Sequence, residues 1–251
     1  MKLHQFLSKT GKFASKYASS NTIQNSQIEI RNNKNIKIIN NPMHHLKPKD
    51  RIYWKGKELQ ILSEQIYILI NKPKGYLCSK LSLSDINLKK KSIFDLIQKL
   101  KISDELKKTL ICVGRLDEDT TGLLIITNDG MLSSKLTDPK NEIKKTYIAD
   151  LENEFSESEL NEIRNGIVID LEENGVITKY KTKKCEITKI KNKQIKIIVI
   201  EGKKREIKRM FEAVGNKVVN LKRISIGNLL LGDLKEGESK IVDKKMFEKI
   251  S

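Results

Sequence analysis

Apolar residues in this chain fall in runs of strand length, and this spacing limits the fold more than any other feature of the sequence. The longest runs, such as Ile197–Ile200, are far shorter than the roughly 18–20 apolar residues that span a bilayer. Turns rich in Gly, Pro and Asn separate them, and helical periodicity recurs only at intervals, without a repeating βαβ order. The pattern predicts an α+β fold with a mixed, mostly antiparallel sheet flanked by helices.

The predicted elements divide into a small basic α/β module at residues 1–60, a linker at 61–66 and a larger domain at 67–251. In the module, one helix over residues 2–20, or two short ones broken at Gly11, precedes strands at 28–30, 36–39 and 51–54. In the larger domain we predict strands at 66–72, 110–113, 123–127, 144–151, 167–171, 194–200 and, with an internal turn, 175–188. Helices are predicted at 92–100 with Ser92 as N-cap, at 157–163 and within 201–215.

The chain is strongly basic. Lysine and arginine number 49 against 32 acidic residues, which gives a net charge of +17 and a pI near 9.6. Residues 1–60 alone hold 12 basic and three acidic residues. A genome that favours Lys, Ile and Asn would also produce a basic chain, but the clustering of the charge favours nucleic acid as the partner.

Cysteine and histidine usage narrows the possible chemistry. The three cysteines are far apart with no CxxC spacing, and the three histidines all lie within the first 45 residues. This distribution indicates a reducing cytoplasm and predicts neither a disulfide framework nor a zinc site. The sequence contains no GxxxxGK[ST] or GxGxxG motif, so no nucleotide-binding loop is predicted. The basic N-terminus has no continuous apolar segment, so we expect no signal peptide.

The densest acidic cluster lies in GRLDEDTTGLL, residues 114–124, between two apolar strand segments. A polar loop projecting from a rigid sheet is a frequent position for functional groups. A solvated acidic loop is an equal alternative. A metal site with Asp117 and Asp119 as oxygen ligands is a third interpretation, although it would need further carboxylates nearby.

Two other segments combine basic residues with apolar or aromatic ones. In EGKKREIKRMFEAVG, apolar residues recur at helical spacing from Ile207, while Arg205, Lys208 and Arg209 share the opposite side. The basic side of such a helix can contact phosphates, pair with a catalytic acid, or simply face solvent. In KKTYIADL, Tyr147 follows two lysines on a strand, where it can stack on a base or simply be half-buried.

Five segments follow one another along the larger domain: NKPKGYLCS (71–79), VGRLDEDTTGLLIITNDG (113–130), LTDPKNEIKKTY (136–147), EGKKREIKRMFEAVGNKVV (201–219) and LKRISIGNLLLGDL (221–234). Together they resemble the successive signature segments of the ribosomal pseudouridine synthases, in the group that modifies a single site in small- or large-subunit rRNA. The head of the chain, KLHQFLSKTGKFASKYA, is similar to the S4 RNA-binding module of that group. It departs from the S4 pattern at residues 21–26, where the glycine that ends a helix is absent.

The resemblance implies an enzyme that detaches uracil from its ribose, turns it and rejoins it through carbon. It implies no cofactor and no metal, a ribosomal RNA or pre-ribosomal particle as partner, no membrane, and a cytoplasmic monomer. The catalytic aspartate of the family corresponds to Asp117, its aromatic residue to Tyr147, and its cation opposite the aspartate to Lys208, with Arg209 as the adjacent candidate. Glu118 and Asp119 would then only frame the loop.

The resemblance also implies a set of RNA-binding residues. Arg115 corresponds to the arginine that fills the gap left by the flipped uridine. The residues expected to hold the RNA are Lys72, Lys74, Lys144, Lys145, Lys204, Arg205 and Arg209. Two other functions remain as alternatives: a non-catalytic rRNA-binding or assembly factor with the same fold, and a metal-dependent nuclease built on Asp117 and Asp119.

Overall fold

The computed structural model describes residues 1–13, 16–32, 35–173, 175–248 and 250. Its helices are α1 (Leu3–Ser8), α2 (Lys16–Gln24), α3 (Leu83–Asn87), α4 (Ile93–Leu96), α5 (Asp104–Thr109), α6 (Gly130–Thr137), α7 (Glu157–Arg164) and α8 (Glu206–Ala213). Its strands are β1 (Ile28–Asn32), β2 (Asn35–Ile39), β3 (Arg51–Trp54), β4 (Lys57–Leu59), β5 (Tyr67–Lys72), β6 (Tyr76–Leu77), β7 (Lys91–Ser92), β8 (Ile111–Val113), β9 (Thr121–Thr127), β10 (Lys145–Leu151), β11 (Val168–Glu173), β12 (Val176–Lys181), β13 (Glu186–Lys191), β14 (Gln194–Val199), β15 (Val218–Ile226), β16 (Leu229–Leu230) and β17 (Ser239–Ile241). No helix in these ranges has the length and apolar character needed to cross a membrane.

The chain forms two compact units. The first contains residues 1–66, 100–111 and 127–129, and the second contains most of the remainder. The predicted domain boundaries differ in placing 100–111 and 127–129 with the larger domain, and they stay a prediction. Close packing within the first unit accounts for the difference: a Cβ on Gly11 would lie 2.5 Å from the Glu105 carbonyl oxygen, so a glycine is needed where the two segments meet.

The first unit is built on a four-stranded antiparallel sheet in the order β2-β1-β3-β4. The predicted strands at 28–30, 36–39 and 51–54 are confirmed, and the N-terminal segment forms two short helices rather than one. Residues 14–15 of the predicted helical span lie outside the described residues. The core of this unit consists of Leu3, Leu7, Phe13, Ile23, Ile28, Ile30, Ile52 and Leu59.

The second unit contains a larger sheet in the order β13-β14-β10-β15-β9-β5-β17, with β16 beside β15 and β8 beside β9. Strand β15 runs parallel to β9. The other pairs, β13 with β14, β14 with β10, β10 with β15, and β5 with β17, are antiparallel. The predicted α+β class with a mostly antiparallel sheet is confirmed. Strands β5 and β9 are buried almost throughout, which explains why their sequences lack polar alternation.

The helices differ from prediction mainly in length. The helix predicted at 92–100 is only α4, although Ser92 is its N-cap and accepts a hydrogen bond from the Phe94 amide at 3.1 Å. The helix predicted at 157–163 is confirmed as α7. Helix α8 lies within the predicted segment 201–215 and begins only at Glu206, because Arg205 precedes it in a left-handed conformation with φ +55°. Helices α3, α5 and α6 were not predicted from the sequence.

Candidate active site

A cleft of about 830 Å³ lies in the second unit, beside the neighbouring strands β9, β10 and β15. Its volume is within the range of pockets that bind small molecules or single nucleotides. All five segments quoted above supply residues to its lining, and Tyr147 comes from the third of them. The lining includes Cys78, Arg115, Asp117, Glu118, Lys145, Tyr147, Glu201, Lys204, Arg205, Glu206, Leu221 and Arg223.

The loop between β8 and β9 carries the acidic cluster, and two glycines allow its tight geometry. Gly114 has φ +68° and Gly122 has φ +105°. The Thr120 amide donates to the Asp117 carbonyl oxygen at 3.1 Å, which closes a turn around the acids. A Cβ on Gly122 would lie 2.2 Å from the Arg223 carbonyl oxygen, so only glycine permits β9 to approach β15 here.

Lys72 holds this loop through hydrogen bonds to its backbone. Its side chain is fully buried, and its Nζ donates to the carbonyl oxygens of Pro73 at 3.1 Å, Glu118 at 3.0 Å and Thr120 at 2.8 Å. Burial lowers the pKa of Lys72. All three ammonium donors of Lys72 are thus used inside the protein, and its predicted contact with the RNA backbone stays a prediction.

The rest of the NKPKGYLCS segment holds the same loop. The Gly75 amide donates to the Glu118 carbonyl oxygen at 2.8 Å. The Leu116 amide donates to Cys78 Sγ at 3.3 Å, and that thiol donates back to the Leu116 carbonyl oxygen at 3.3 Å. Burial raises the pKa of the Cys78 thiol, so it serves as a neutral hydrogen-bonding group rather than a thiolate.

The three acids of the loop have different surroundings. Glu118 accepts two hydrogen bonds from Lys90 Nζ, at 2.8 and 2.9 Å. Asp119 accepts one from Lys208 Nζ at 2.5 Å. Asp117 lines the cleft half-buried, and its carboxylate has no hydrogen bond or ion pair within the described part of the chain. Asp117 is therefore the acid of this cluster that is free to act on a ligand.

Lys208 does not pair with Asp117, in contrast to what the family resemblance implied. Lys208 is 6% exposed and Asp119 45% exposed, so the pair bridges the interior and the surface. A buried ammonium needs hydrogen-bonding or charged partners, and Asp119 supplies a carboxylate. Burial disfavours the charge on Asp119, yet the hydrogen bond and charge of Lys208, together with the charge of Arg205, outweigh burial and lower the pKa of Asp119. Arg209, the adjacent candidate, lines a separate cavity against β11 and β12.

Tyr147 lies on β10, 8% exposed, directly opposite Arg223 on β15. Lys145, two residues before it, donates from Nζ to the carbonyl oxygens of Ile143 at 3.2 Å and Glu201 at 3.4 Å. Burial, followed by the charge of Arg223, lowers the pKa of Lys145. The sequence therefore identified an aromatic residue of the cleft, but it did not single out Arg223, an arginine in the apolar strand segment LKRISIG.

The remaining predicted RNA-binding residues fall in two groups. Arg115, Lys204 and Arg205 are exposed and line the cleft. Lys74 is exposed, and Lys144 Nζ forms a salt bridge with Glu186 Oε1 at 2.9 Å. Neither lysine is among the described residues that line the cleft.

A pair of buried carboxyl groups in the cleft wall was missed by the sequence analysis. Glu206 is 5% exposed, and burial, together with a hydrogen bond to Glu201, raises its pKa to about 8. Glu201 also accepts hydrogen bonds from the Tyr180 hydroxyl at 2.6 Å and the Lys183 amide at 2.7 Å. In sequence, these glutamates look like ordinary surface acids flanking a basic run. Among the described residues, no group of three or more His, Cys, Asp or Glu is arranged to hold a metal.

Comparisons with known proteins place the chain in a family. Residues 66–213 match the sequence profile described as RNA pseudouridylate synthase. Ribosomal small subunit pseudouridine synthase A from Haemophilus influenzae is 30% identical over 251 residues, all of this chain and 99% of that protein. The enzyme of that name from Yersinia pestis is 32% identical over 75% of this chain and 73% of its own length. A solved pseudouridylate synthase structure, 29% identical, matches all of both chains with a TM-score of 0.67. The chain therefore belongs to the RNA pseudouridylate synthase family and is an isomerase that forms pseudouridine.

Proposed function

We propose that the protein converts a specific uridine of ribosomal RNA to pseudouridine, with Asp117 as the catalytic carboxylate. The observation that carries this proposal is the free Asp117 carboxylate, which lines the cleft while Glu118 and Asp119 are bound to lysines. The net charge of +17 supports an RNA substrate. The names of the relatives from H. influenzae and Y. pestis support a ribosomal one.

The reaction is an isomerisation in which bonds and protons balance. The N1–C1′ bond breaks and its electron pair stays on N1 of the uracil. Asp117 acts at the ribose, as the nucleophile at C1′ or as the base at C2′. The uracil turns, C5 bonds to C1′, the C5 proton leaves, and N1 takes up a proton. Tyr147, in the cleft wall, packs against the base and assists removal of the C5 proton.

The other residues of the site bind and position the RNA. Arg115 fills the space that the uridine leaves when it flips out of its stack, a step that costs a few kcal/mol. Lys204 and Arg205, exposed at the cleft, hold backbone phosphates. Lys208 acts as a positioning residue through Asp119. We further propose that the basic N-terminal unit is an S4-like RNA-binding module, and that the protein acts as a cytoplasmic monomer on rRNA or a pre-ribosomal particle.

Release of tritium from rRNA labelled at uracil C5 tests the proposal. We expect release by the wild-type protein with and without EDTA, and a loss on the order of 10⁴-fold in Asp117→Asn, as found for other central catalytic carboxylates. Glu118→Gln is the matched control, because it makes the same charge change in the same loop, on a side chain engaged with Lys90. Wild-type protein that releases no tritium from any rRNA would contradict the proposed function. Asp117→Asn with wild-type activity would contradict the role of Asp117.

A further inference from the structure

Arg223 lines the cleft between the strand of Tyr147 and the acidic loop. It is directly opposite Tyr147 on one side of β15 and beside Gly122 of the acidic loop on the other. Directly opposed residues of an antiparallel pair project from the same face of the sheet. The register between β10 and β15 shifts by one residue at Thr146 and Tyr147, a bulge that can redirect side chains at functional sites. Tyr147 and Arg223 are thus presented to the cleft together.

The hydrogen bonding of Arg223 is incomplete. Its side chain is 3% exposed, and its Nε donates to the Leu123 carbonyl oxygen at 2.8 Å. Its Nη2 is shielded from solvent and has no hydrogen-bond partner in the described part of the chain. A buried donor without a partner costs about 1–3 kcal/mol, so a retained one requires a functional or structural reason.

Arg223 differs in this respect from the other buried cations near the cleft. Lys72 donates to three carbonyl oxygens, Lys208 is bound to Asp119, and Lys145 donates to two carbonyl oxygens. A guanidinium cannot lose its charge at ordinary pH. Arg223 therefore contributes a permanent positive charge and an unused donor beside Tyr147.

We propose that Arg223 is a further catalytic residue, which donates from its guanidinium to a carbonyl oxygen of the target uracil as the base leaves the ribose. This inference rests on the proposed function. When the N1–C1′ bond breaks, the electron pair on N1 is delocalised onto O2 and O4, so the detached uracil is an anion. When C5 bonds to C1′ and N1 is protonated, the charge disappears. A fixed donor that favours the anion over bound uridine lowers the barrier selectively.

The position of Arg223 favours the uracil over an RNA phosphate as its partner. Arg115, Lys204 and Arg205 are exposed and can contact phosphates while these remain hydrated. Arg223 is almost completely buried next to the aromatic residue that packs against the base. A phosphate would have to lose its hydration to reach it, at a large cost in free energy.

Arg223→Met tests the inference by separating rate from affinity. We expect the single-turnover rate on rRNA at saturating enzyme to fall about 10²–10³-fold, as for removal of a donor to a developing anion, with an unchanged Kd for RNA. Arg164→Met is the matched control, because Arg164 Nε also donates to a strand carbonyl oxygen, that of Ile187 at 3.3 Å, outside the described cleft lining. An unchanged rate in Arg223→Met, or a weaker Kd with an unchanged rate, would overturn the inference.

A second measurement distinguishes stabilisation of the leaving base from a purely structural role. Fluorine at C5 withdraws electrons, so 5-fluorouracil leaves as a more stable anion. On an rRNA transcript containing 5-fluorouridine, we expect Arg223→Met to lose less of the wild-type single-turnover rate than it loses on unmodified rRNA. If the methionine variant does not fold, the charge-retaining Arg223→Lys is compared in the same way. Because C5 of this base carries fluorine and no proton, the rearranged C-glycoside keeps the fluorine, and its formation is followed by nuclease digestion and mass spectrometry. Equal defects on both RNAs would overturn the inference alone, whereas a wild-type protein inactive on rRNA would overturn the proposed function.

Discussion

Gly122 shows how a single residue sets the geometry of the acidic loop. Its φ of +105° lies outside the range that L-residues favour, and a Cβ would lie 2.2 Å from the Arg223 carbonyl oxygen. Neither strand can move away without breaking the parallel pairing of Lys222 with Thr121 and of Arg223 with Gly122. The glycine of GRLDEDTTGLL is therefore required by backbone packing rather than by chemistry.

Gly122→Ala should destabilise the protein strongly. Backbone strain alone costs about 1–3 kcal/mol, and the steric clash adds to it. We expect a lower midpoint of urea unfolding by circular dichroism and a loss of isomerase activity. Gly130→Ala is the matched control, because a Cβ there meets nothing within 4 Å, and we expect it to be nearly neutral. Equal midpoints for the two variants would contradict the packing argument.

Individual side-chain partners were the least predictable feature from sequence. Asp117 and Tyr147 could be identified as cleft residues from their motifs. The partners of Lys72 and Lys208 could not, because Lys72 contacts a carbonyl 48 residues further along the chain and Lys208 an aspartate 89 residues away. A lysine in a basic chain resembles an RNA-binding residue until its burial is known.

At the scale of elements, Lys72 connects the end of β5 to the loop before β9. Lys72→Met preserves the length and apolar stem of the side chain but removes the Nζ donor from the Thr120 and Glu118 carbonyl oxygens, and Glu118 keeps only the Gly75 amide. We expect the free energy of unfolding to fall by about 1–3 kcal/mol or more, because buried acceptors lose their partner. We also expect a slower single-turnover rate, since the loop carries Asp117.

Urea unfolding and single-turnover kinetics check this prediction. Lys99→Met, at an exposed lysine, removes the same charge and should change neither quantity appreciably. If Lys72→Met instead weakens RNA binding and lowers the salt dependence of the Kd while stability is unchanged, then Lys72 contacts RNA and its role as a brace is refuted.

The Glu201–Glu206 pair connects α8 to the hairpin of β11 and β12, because Glu201 accepts from Tyr180 on β12. The pKa of Glu206 is raised to about 8 from an ordinary value of 4.5, chiefly by burial. Between these two pH values the folded chain holds a proton that the unfolded chain has released. The contribution of this group to stability is thus largest at low pH and declines as the pH rises towards 8.

Glu206→Gln should remove this decline. Glutamine has the same shape, can donate to Glu201 as the protonated acid does, and cannot ionise. We expect the stability of the variant relative to wild type to increase from pH 5 to about pH 8 and then to level off. Urea unfolding across this range measures it, with Glu162→Gln at an exposed position of α7 as the control for net charge. Parallel curves for wild type and Glu206→Gln would show that the pair holds no extra proton.

Strands were predicted better than helices, and the reason is physical. Period-two and continuous apolar patterns marked β5, β9, β10 and β14 directly. The short helices α3 and α5 depend on N-caps at Ser82 and Ser103 and on local packing, and too few of their residues are apolar for a periodic signal.

At the scale of the whole molecule, the division into two units does not follow the order of the sequence. Residues 100–111 belong to the first unit, where Gly11 lies close to Glu105. Deleting residues 1–60 would remove most of that unit and leave residues 100–111 without this contact. The proposed RNA-binding role of the N-terminal unit is therefore tested better by surface substitutions in the full chain.

The dependence of RNA affinity on salt should report this role. Each phosphate contact contributes about 0.7 to the slope of log K against log salt for single-stranded nucleic acid. We propose a variant with four exposed lysines of the N-terminal unit replaced by glutamine: Lys12, Lys47, Lys49 and Lys55. If all four contact phosphates, the slope should decrease in magnitude by about 3.

The control replaces four exposed lysines of the second unit, Lys217, Lys235, Lys240 and Lys245, with glutamine. Both variants lower the net charge from +17 to the same value, so any difference between their slopes reflects position rather than total charge. Long-range attraction alone would change both slopes equally, because it depends on the summed field of the protein. A smaller slope in the N-terminal variant alone requires direct phosphate contacts by that unit, and equal slopes would contradict the S4-like role.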